Sequence, residues 1–209
     1  VGYVLRFLPV LHFIRALLAE GRVGHVRTAH AQVGQYLPDW RPDSDYRKGV
    51  SAQAQLGGGA LLELSHELDY SLWLFGAPDS VQCSRGKISD LDIDVEDSAH
   101  VLLEYTGGKH PKRVLVQLDF LQRVAHMALQ IVGSEATLQA DLIKETVRLY
   151  APGNPDGELL ASPPKADGNE LYLRQFDVSF HKSSADYAPV LPDTGTFTDW
   201  ADADQAARV

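Results

Sequence analysis

The stretch LGGGALLELSHELDYSLWLF, Leu56 to Phe75, decides how this chain reads. Three glycines run straight into an apolar segment carrying a histidine, with an aspartate three positions later. Glycine permits positive φ and close approach of another group to the backbone. The spacing predicts a helix over 59–75 with Leu61, Leu68, Leu72 and Phe75 as a core stripe. Leu62, His66, Asp69 and Trp73 form a neighbouring line, so Asp69 lies one turn from His66 and can orient or charge-stabilise its ring. A histidine and a carboxylate beside a glycine-rich approach make a reasonable active-site wall. On spacing alone, a merely packed or solvated histidine is the commoner outcome.

Working outward, Pro9 suits a first helical turn and Val10 to Ala19 continues it, after a short extended lead-in over Val1 to Phe7. Val26 to Tyr36 has strand character. Residues 37–55 are rich in Pro, Asp, Ser and Arg, with Trp40 and Tyr46 embedded. A long polar loop with aromatics is either functional or pinned to the body by those rings. Beyond Gly76-Ala77-Pro78, strands are expected at Val81–Ile88, Asp97–Tyr105, Arg113–Leu121, Ala125–Val132, Ala136–Ala140 and Thr146–Tyr150, joined as a meander by short turns. Residues 152–168 read as loop, Glu170 to Lys182 as helix and Phe197 to Arg208 as a weak helix. The second sheet face carries Leu102, Leu115, Leu121, Ala128 and Val132 among Gln117, Asp119 and Gln130. It is too apolar to be simply wet, so another subunit or domain is expected to cover it.

Composition excludes several classes. With 209 residues, 44% hydrophobic and 22% charged, the chain suits a globular unit with an adequate core. The net charge of −9 gives no counterion-release affinity for nucleic acid, and Lys109, Lys112 and Arg113 read as solvated hairpin residues. No apolar run is long enough to span a membrane, and no signal peptide opens the chain. One cysteine, Cys83, cannot build a disulfide framework or a multi-cysteine metal site and fits a reducing compartment, so a cytoplasmic location is expected. Met127 is the only methionine, which reads as a piece of a longer protein.

Other motifs fail on chemistry. There is no GxGxxG and no P-loop. The glycine triplet at a helix start could receive an anion, or equally could serve close packing. A helical zinc motif starting at His66 would need a second histidine at position 70, which is Tyr70. Asp90, Asp92, Asp94, Glu96 and Asp97 alternate like a calcium loop but lack its glycine and terminal Glu, and read as a solvated loop. No metal is expected. Ser65 has no GxSxG context.

With GGG-x-L-L-E-L-S-H-E-L-D in place, the chain resembles the C-terminal domain of the glucose–fructose oxidoreductase / inositol dehydrogenase / rhizopine-catabolism (Gfo/Idh/MocA) family. Tyr3 to Phe7 with Pro9 resembles that family's opening, and Leu17 to Val26 its helix-to-strand passage. Ala77-Pro78 to Val81 and Val132 to Leu138 resemble its later turns. The resemblance implies an α+β fold: an open, mostly antiparallel sheet with helices packed on one face. It implies one substrate-binding and oligomerisation domain over residues 1–209, with a Rossmann domain and the catalytic lysine lying upstream.

The same resemblance implies NAD or NADP as cofactor, bound mainly by that missing domain, and a sugar, sugar-nucleotide or polyol CH–OH as substrate. It makes His66 the acid/base. Position 62 is Leu where the family often has aspartate, which leaves Glu63 as the nearest counterpart, and Asp69 matches the trailing aspartate. Trp40, Arg41, Tyr46 and Arg47 would border the pocket, Trp40 by stacking on a sugar face and an arginine by forking an anion. A homo-oligomer through the open sheet face is expected, and this piece alone is expected to be inactive. The alternative is a non-catalytic binding or regulatory module of the same descent, or a domain serving mainly assembly.

Overall fold

A computed structural model describes residues 3–160. Helix α1 (Pro9–Ala19) starts on a proline at its first position, where no N–H is needed, and buries Val10, Leu11, Ile14 and Leu17 on one stripe. Strand β1 (Val26–Gly34) follows. Two short helices, α2 (Ala60–Glu63) and α3 (His66–Phe75), precede seven further strands. These are β2 (Ser80–Gly86), β3 (Ser98–Tyr105), β4 (Lys112–Asp119), β5 (His126–Gly133), β6 (Thr137–Asp141), β7 (Thr146–Tyr150) and β8 (Glu158–Leu160).

All eight strands form one sheet in the order β2-β3-β4-β1-β5-β6-β7-β8. Every pairing is antiparallel except β1 with β4, which run parallel. The expected simple meander is thus corrected: β1 inserts between β4 and β5, and only the remaining neighbours follow chain order. The α+β class, open sheet and helices on one face are as the sequence implies.

Strand alternation sorts side chains strictly by face. Ala29, Ala31 and Val33 of β1, Val101 and Leu103 of β3, Val114, Val116 and Leu118 of β4, and Leu129 and Ile131 of β5 are buried beneath the helices. The register places Leu102, Leu115, His30, Gln130, Gln139 and Arg148 side by side on the uncovered face. The next row carries His100, Gln117, Gln32 and Ala128. Among the described residues nothing covers this face, and in these two rows amides and histidines outnumber aliphatic residues.

Several expectations need correction. Residues 3–7 are not extended: Tyr3 takes a left-handed conformation and Val4–Phe7 form a 3-10 turn. The helix expected over 59–75 is two helices, broken at Leu64 and Ser65. That break rotates the second half, so Leu68 and Leu72 are only half-buried while Glu67, Asp69, Tyr70, Ser71, Trp73 and Phe75 are buried. The 152–168 loop contains β8, paired to β7 at the sheet edge. The helices expected at 170–182 and 197–208 lie outside the described residues.

The acidic segment is a loop that is solvated only in part: Asp90, Asp92 and Asp94 are exposed, whereas Glu96 and Asp97 turn inward. Asp97 is fully buried and accepts from the backbone N–H groups of Ile88 and Ser89 and from the Ser89 hydroxyl. Asp94 accepts from Ala54 N, and Glu96 accepts from Leu61 N at the start of α2. Carboxylates capping free N–H groups explain the residue type and its spacing. The glycine triplet belongs to the same latch. Gly59 sits at φ 113°, ψ 151°, a region open essentially to glycine alone, with the Glu96 carboxylate against the position of its absent side chain. A Cβ on Gly58 would strike the Val50 carbonyl oxygen. Close packing, with Glu96 already seated at the helix start, is therefore what Gly58 and Gly59 serve, while Gly57 supplies a positive φ.

Gly59→Ala is expected to destabilise the fold by about 2–4 kcal/mol, through φ strain and displacement of Glu96. Gly57→Ala, at φ 79° with open space around it, should cost about 1–2 kcal/mol. Urea unfolding of both variants checks this, and equal losses would contradict the latch.

Candidate active site around His66

The break between α2 and α3 gives His66 its setting. Ser65 donates its hydroxyl to the Leu62 carbonyl, and α3 begins directly after it. His66, half-buried, is the first helical residue. Its Nδ1 is buried with no hydrogen-bond partner among the described residues. Burial holds the imidazole below its ordinary range, opposed by the charges of Asp69 and Glu63. The ring is therefore neutral near pH 7 and able to accept a proton, with two carboxylates near enough to stabilise the imidazolium that results.

Each carboxylate is itself held. The Ser51 hydroxyl donates to Glu63 Oε2 at 2.8 Å. Asp69, with only 1% of its side chain exposed, accepts two bonds of 2.7 Å from Arg6 Nε and Nη2. Burial raises the Asp69 pKa from its usual value, against the opposing pull of Arg6. The Tyr3 ring meets His66 edge-to-face at 5.7 Å between centroids. Trp73, the fourth member of the predicted line, packs edge-on against His12 at 5.1 Å and under the Arg15 guanidinium at 4.6 Å. Leu62, the first member, is exposed.

The predicted site residues therefore fall into two groups. Glu63, His66 and Asp69 come together. The loop residues are anchored on other partners: Trp40 donates to the Gln35 carbonyl and packs edge-on against Phe120. The Tyr46 hydroxyl accepts from Asp92 N, and Arg47 forks onto Asp45 at 2.7 and 2.9 Å. Arg41 is exposed, and its guanidinium has no partner among the described residues. Sequence reasoning missed Tyr3, Arg6 and Ser51. The signal for Arg6 was available: an aspartate on a helix face destined for burial needs a cation.

Next to this cluster α3 buries a second polar set. Glu67 is 1% exposed, and its Oε1, the Tyr70 hydroxyl and the Ser71 hydroxyl have no hydrogen-bond partner among the described residues. Burial pushes the Glu67 carboxyl up to about 8 and the Tyr70 phenol well above its usual range. A polar depression of about 390 Å³ lined by His30, Gln32, Gln130, Gln139 and Arg148 opens on the uncovered face, across the sheet from α3. Among the described residues, no cluster of His, Cys, Asp and Glu could hold a metal, and no helix is long and apolar enough to cross a membrane.

Residues 11–139 match the family described as the GFO/IDH/MocA C-terminal domain. A trans-1,2-dihydrobenzene-1,2-diol dehydrogenase from Mus musculus is 31% identical over 107 residues, covering 50% of this chain and 29% of that protein. The chain thus spans about a third of the curated relatives it matches. An inositol dehydrogenase homolog from Azotobacter vinelandii, complexed with NADH and myo-inositol, is similar in fold with a TM-score of 0.59 and 21% identity, covering 78% of this chain and 43% of that one. A levoglucosan dehydrogenase in complex with NADH gives a TM-score of 0.68 at 16% identity, over 84% of this chain and 54% of that one.

The buried carboxyl of Glu67 has a direct consequence for stability. Its folded-state pKa of about 8 stands above the ordinary 4.5, so folding takes up a proton. Its contribution is complete below pH 4.5 and is lost as pH rises towards and through 8. Through this group the unfolding free energy should therefore fall between pH 5 and 8.5 by up to about 1.4 kcal/mol per pH unit, lowering the melting temperature, and Glu67→Gln should flatten that fall. Parallel thermal melts of the two proteins decide it.

Proposed function

The chain belongs to the GFO/IDH/MocA C-terminal domain family, and from that premise we propose that it is the substrate-binding and oligomerisation part of an NAD(P)-dependent dehydrogenase. The observation that carries this reading is His66: a half-buried imidazole, held neutral by burial and flanked by the Glu63 and Asp69 carboxylates. In oxidation of a CH–OH group, His66 accepts the hydroxyl proton as the carbinol hydrogen departs as hydride, and returns it in the reverse direction. NAD or NADP, held mainly by an N-terminal dinucleotide-binding domain, supplies the hydride acceptor. This chain supplies the base, its electrostatic support and part of the pocket.

The named relatives support a substrate class. Dihydrobenzenediol, myo-inositol and levoglucosan are all ring compounds bearing adjacent hydroxyls. A cyclic vicinal diol or polyol is therefore the substrate we assign, within the broader class of sugars, sugar nucleotides and polyols. Trp40, Arg41, Tyr46 and Arg47 border the pocket in this reading. Because Asp45 already occupies the Arg47 fork, Arg41 is the arginine assigned to an anionic substituent. Assembly through the open sheet face and a cytoplasmic location complete the proposal.

In the protein carrying both domains, His66→Ala should reduce kcat by about 10²–10⁴ while leaving NAD(P)H binding intact. Unchanged turnover on a panel of cyclic diols and sugars would overturn the assignment of His66. For an anionic substrate, Arg41→Ala should raise KM about tenfold and Arg47→Ala should leave it within about threefold, a loss of roughly 1.4 kcal/mol against at most about 0.7 kcal/mol.

A further inference from the structure

Two contacts repeat at the same spacing along two elements. Tyr3 and Arg6 stand three residues apart on the amino-terminal turn, and His66 and Asp69 stand three residues apart on the first turn of α3. Tyr3 meets His66, and Arg6 meets Asp69. The turn is closed on itself by a hydrogen bond from Arg6 N to the Tyr3 carbonyl at 3.2 Å, which fixes the separation of the two grips. Tyr3 is held at φ 38°, a conformation non-glycine residues seldom adopt without compensation. The fork is planar and bidentate, a geometry that fixes direction as well as distance. The imidazole otherwise has little to orient it, since its buried Nδ1 has no hydrogen-bond partner among the described residues.

We propose that Arg6 and Tyr3 are positioning residues for His66. The Arg6–Asp69 fork docks the amino-terminal turn onto α3, and the docked turn presents the Tyr3 ring as the wall that sets the imidazole orientation. The fork also leaves Asp69 as an indirect partner of the reaction, because both of its oxygens are engaged by Arg6. Asp69 acts on the imidazole through its charge and through the turn it holds. This inference rests on the acid/base reading of His66 for its catalytic meaning but not for its geometry.

The test separates the two. In the two-domain protein, Arg6→Gln removes the fork, and Arg6→Lys keeps the charge but not the bidentate geometry. Tyr3→Leu removes the wall alone. NMR of the His66 ring, assigned by its loss in His66→Ala, reads the Tyr3–His66 ring NOE and the imidazole titration. The expected result is a weakened NOE in both Arg6 variants and an imidazole pKa that moves in all three. It is accompanied by a kcat at least tenfold lower, with KM within about threefold. If Arg6→Gln does not fold, Arg6→Lys carries the same readouts and Tyr3→Leu carries the titration and the turnover. An unchanged NOE and titration overturn the staple, whatever happens to turnover. A lost NOE with unchanged kcat overturns its positioning role. Loss of turnover in His66→Ala is a separate measurement, so the acid/base reading stands or falls independently.

Discussion

Everything in this molecule hangs on β1. It is the first strand in the chain but lies inside the sheet, parallel to β4 and antiparallel to β5. A first strand so placed cannot be followed by a hairpin to its neighbours. The chain must leave the sheet, cross its covered face and return at the far edge as β2. That crossover, residues 35–79, carries Trp40, Arg41, Tyr46, Arg47, Glu63, His66 and Asp69. The topology thus gathers every site residue expected from the sequence into one connection, where irregular backbone is free to vary above a rigid sheet.

The crossover is fixed by polar links as well as by the apolar residues it sends into the core. Asp94 and Glu96, reaching across from the segment before β3, cap backbone groups on either side of the glycine triplet. Ser51 binds Glu63, and Arg6 binds Asp69. The Glu96, Glu63 and Asp69 links satisfy groups that are at least partly buried, and that requirement restricts the residue types at both ends. Glu67 Oε1 and the Tyr70 and Ser71 hydroxyls are the contrast: buried, polar and without hydrogen-bond partners among the described residues. They lie on the helix that bears His66, where departures from local consistency are expected of a working site.

The strands were legible because alternation is a local signal. Val114, Val116, Leu118 and Phe120 declare one face, and the structure buries all four. What alternation cannot declare is which strand lies beside which, so the insertion of β1 was missed. The helix break at Leu64 and Ser65 was missed for a related reason. Nothing in LLELSHEL opposes continuous helix, and at the break the Ser65 hydroxyl donates to the Leu62 carbonyl. Half of the site followed the same logic. Glu63, His66 and Asp69 are close in sequence and could be grouped by spacing. Tyr3 and Arg6 are more than 60 residues away from their partners, and only the fold unites them.

The interior position of β1 also sets the order in which this protein can fold. β1 ends at Gly34, and β4, the earlier of its two partners to be made, begins at Lys112. On a ribosome adding about 5–20 residues per second, roughly 4–16 s pass before that strand has an edge to pair with. Through that interval a segment with Ala29, Ala31 and Val33 on one side presents two unpaired edges. Closure of the sheet is therefore a late, long-range event, slow compared with the hairpins β2–β3 and β3–β4 that precede it.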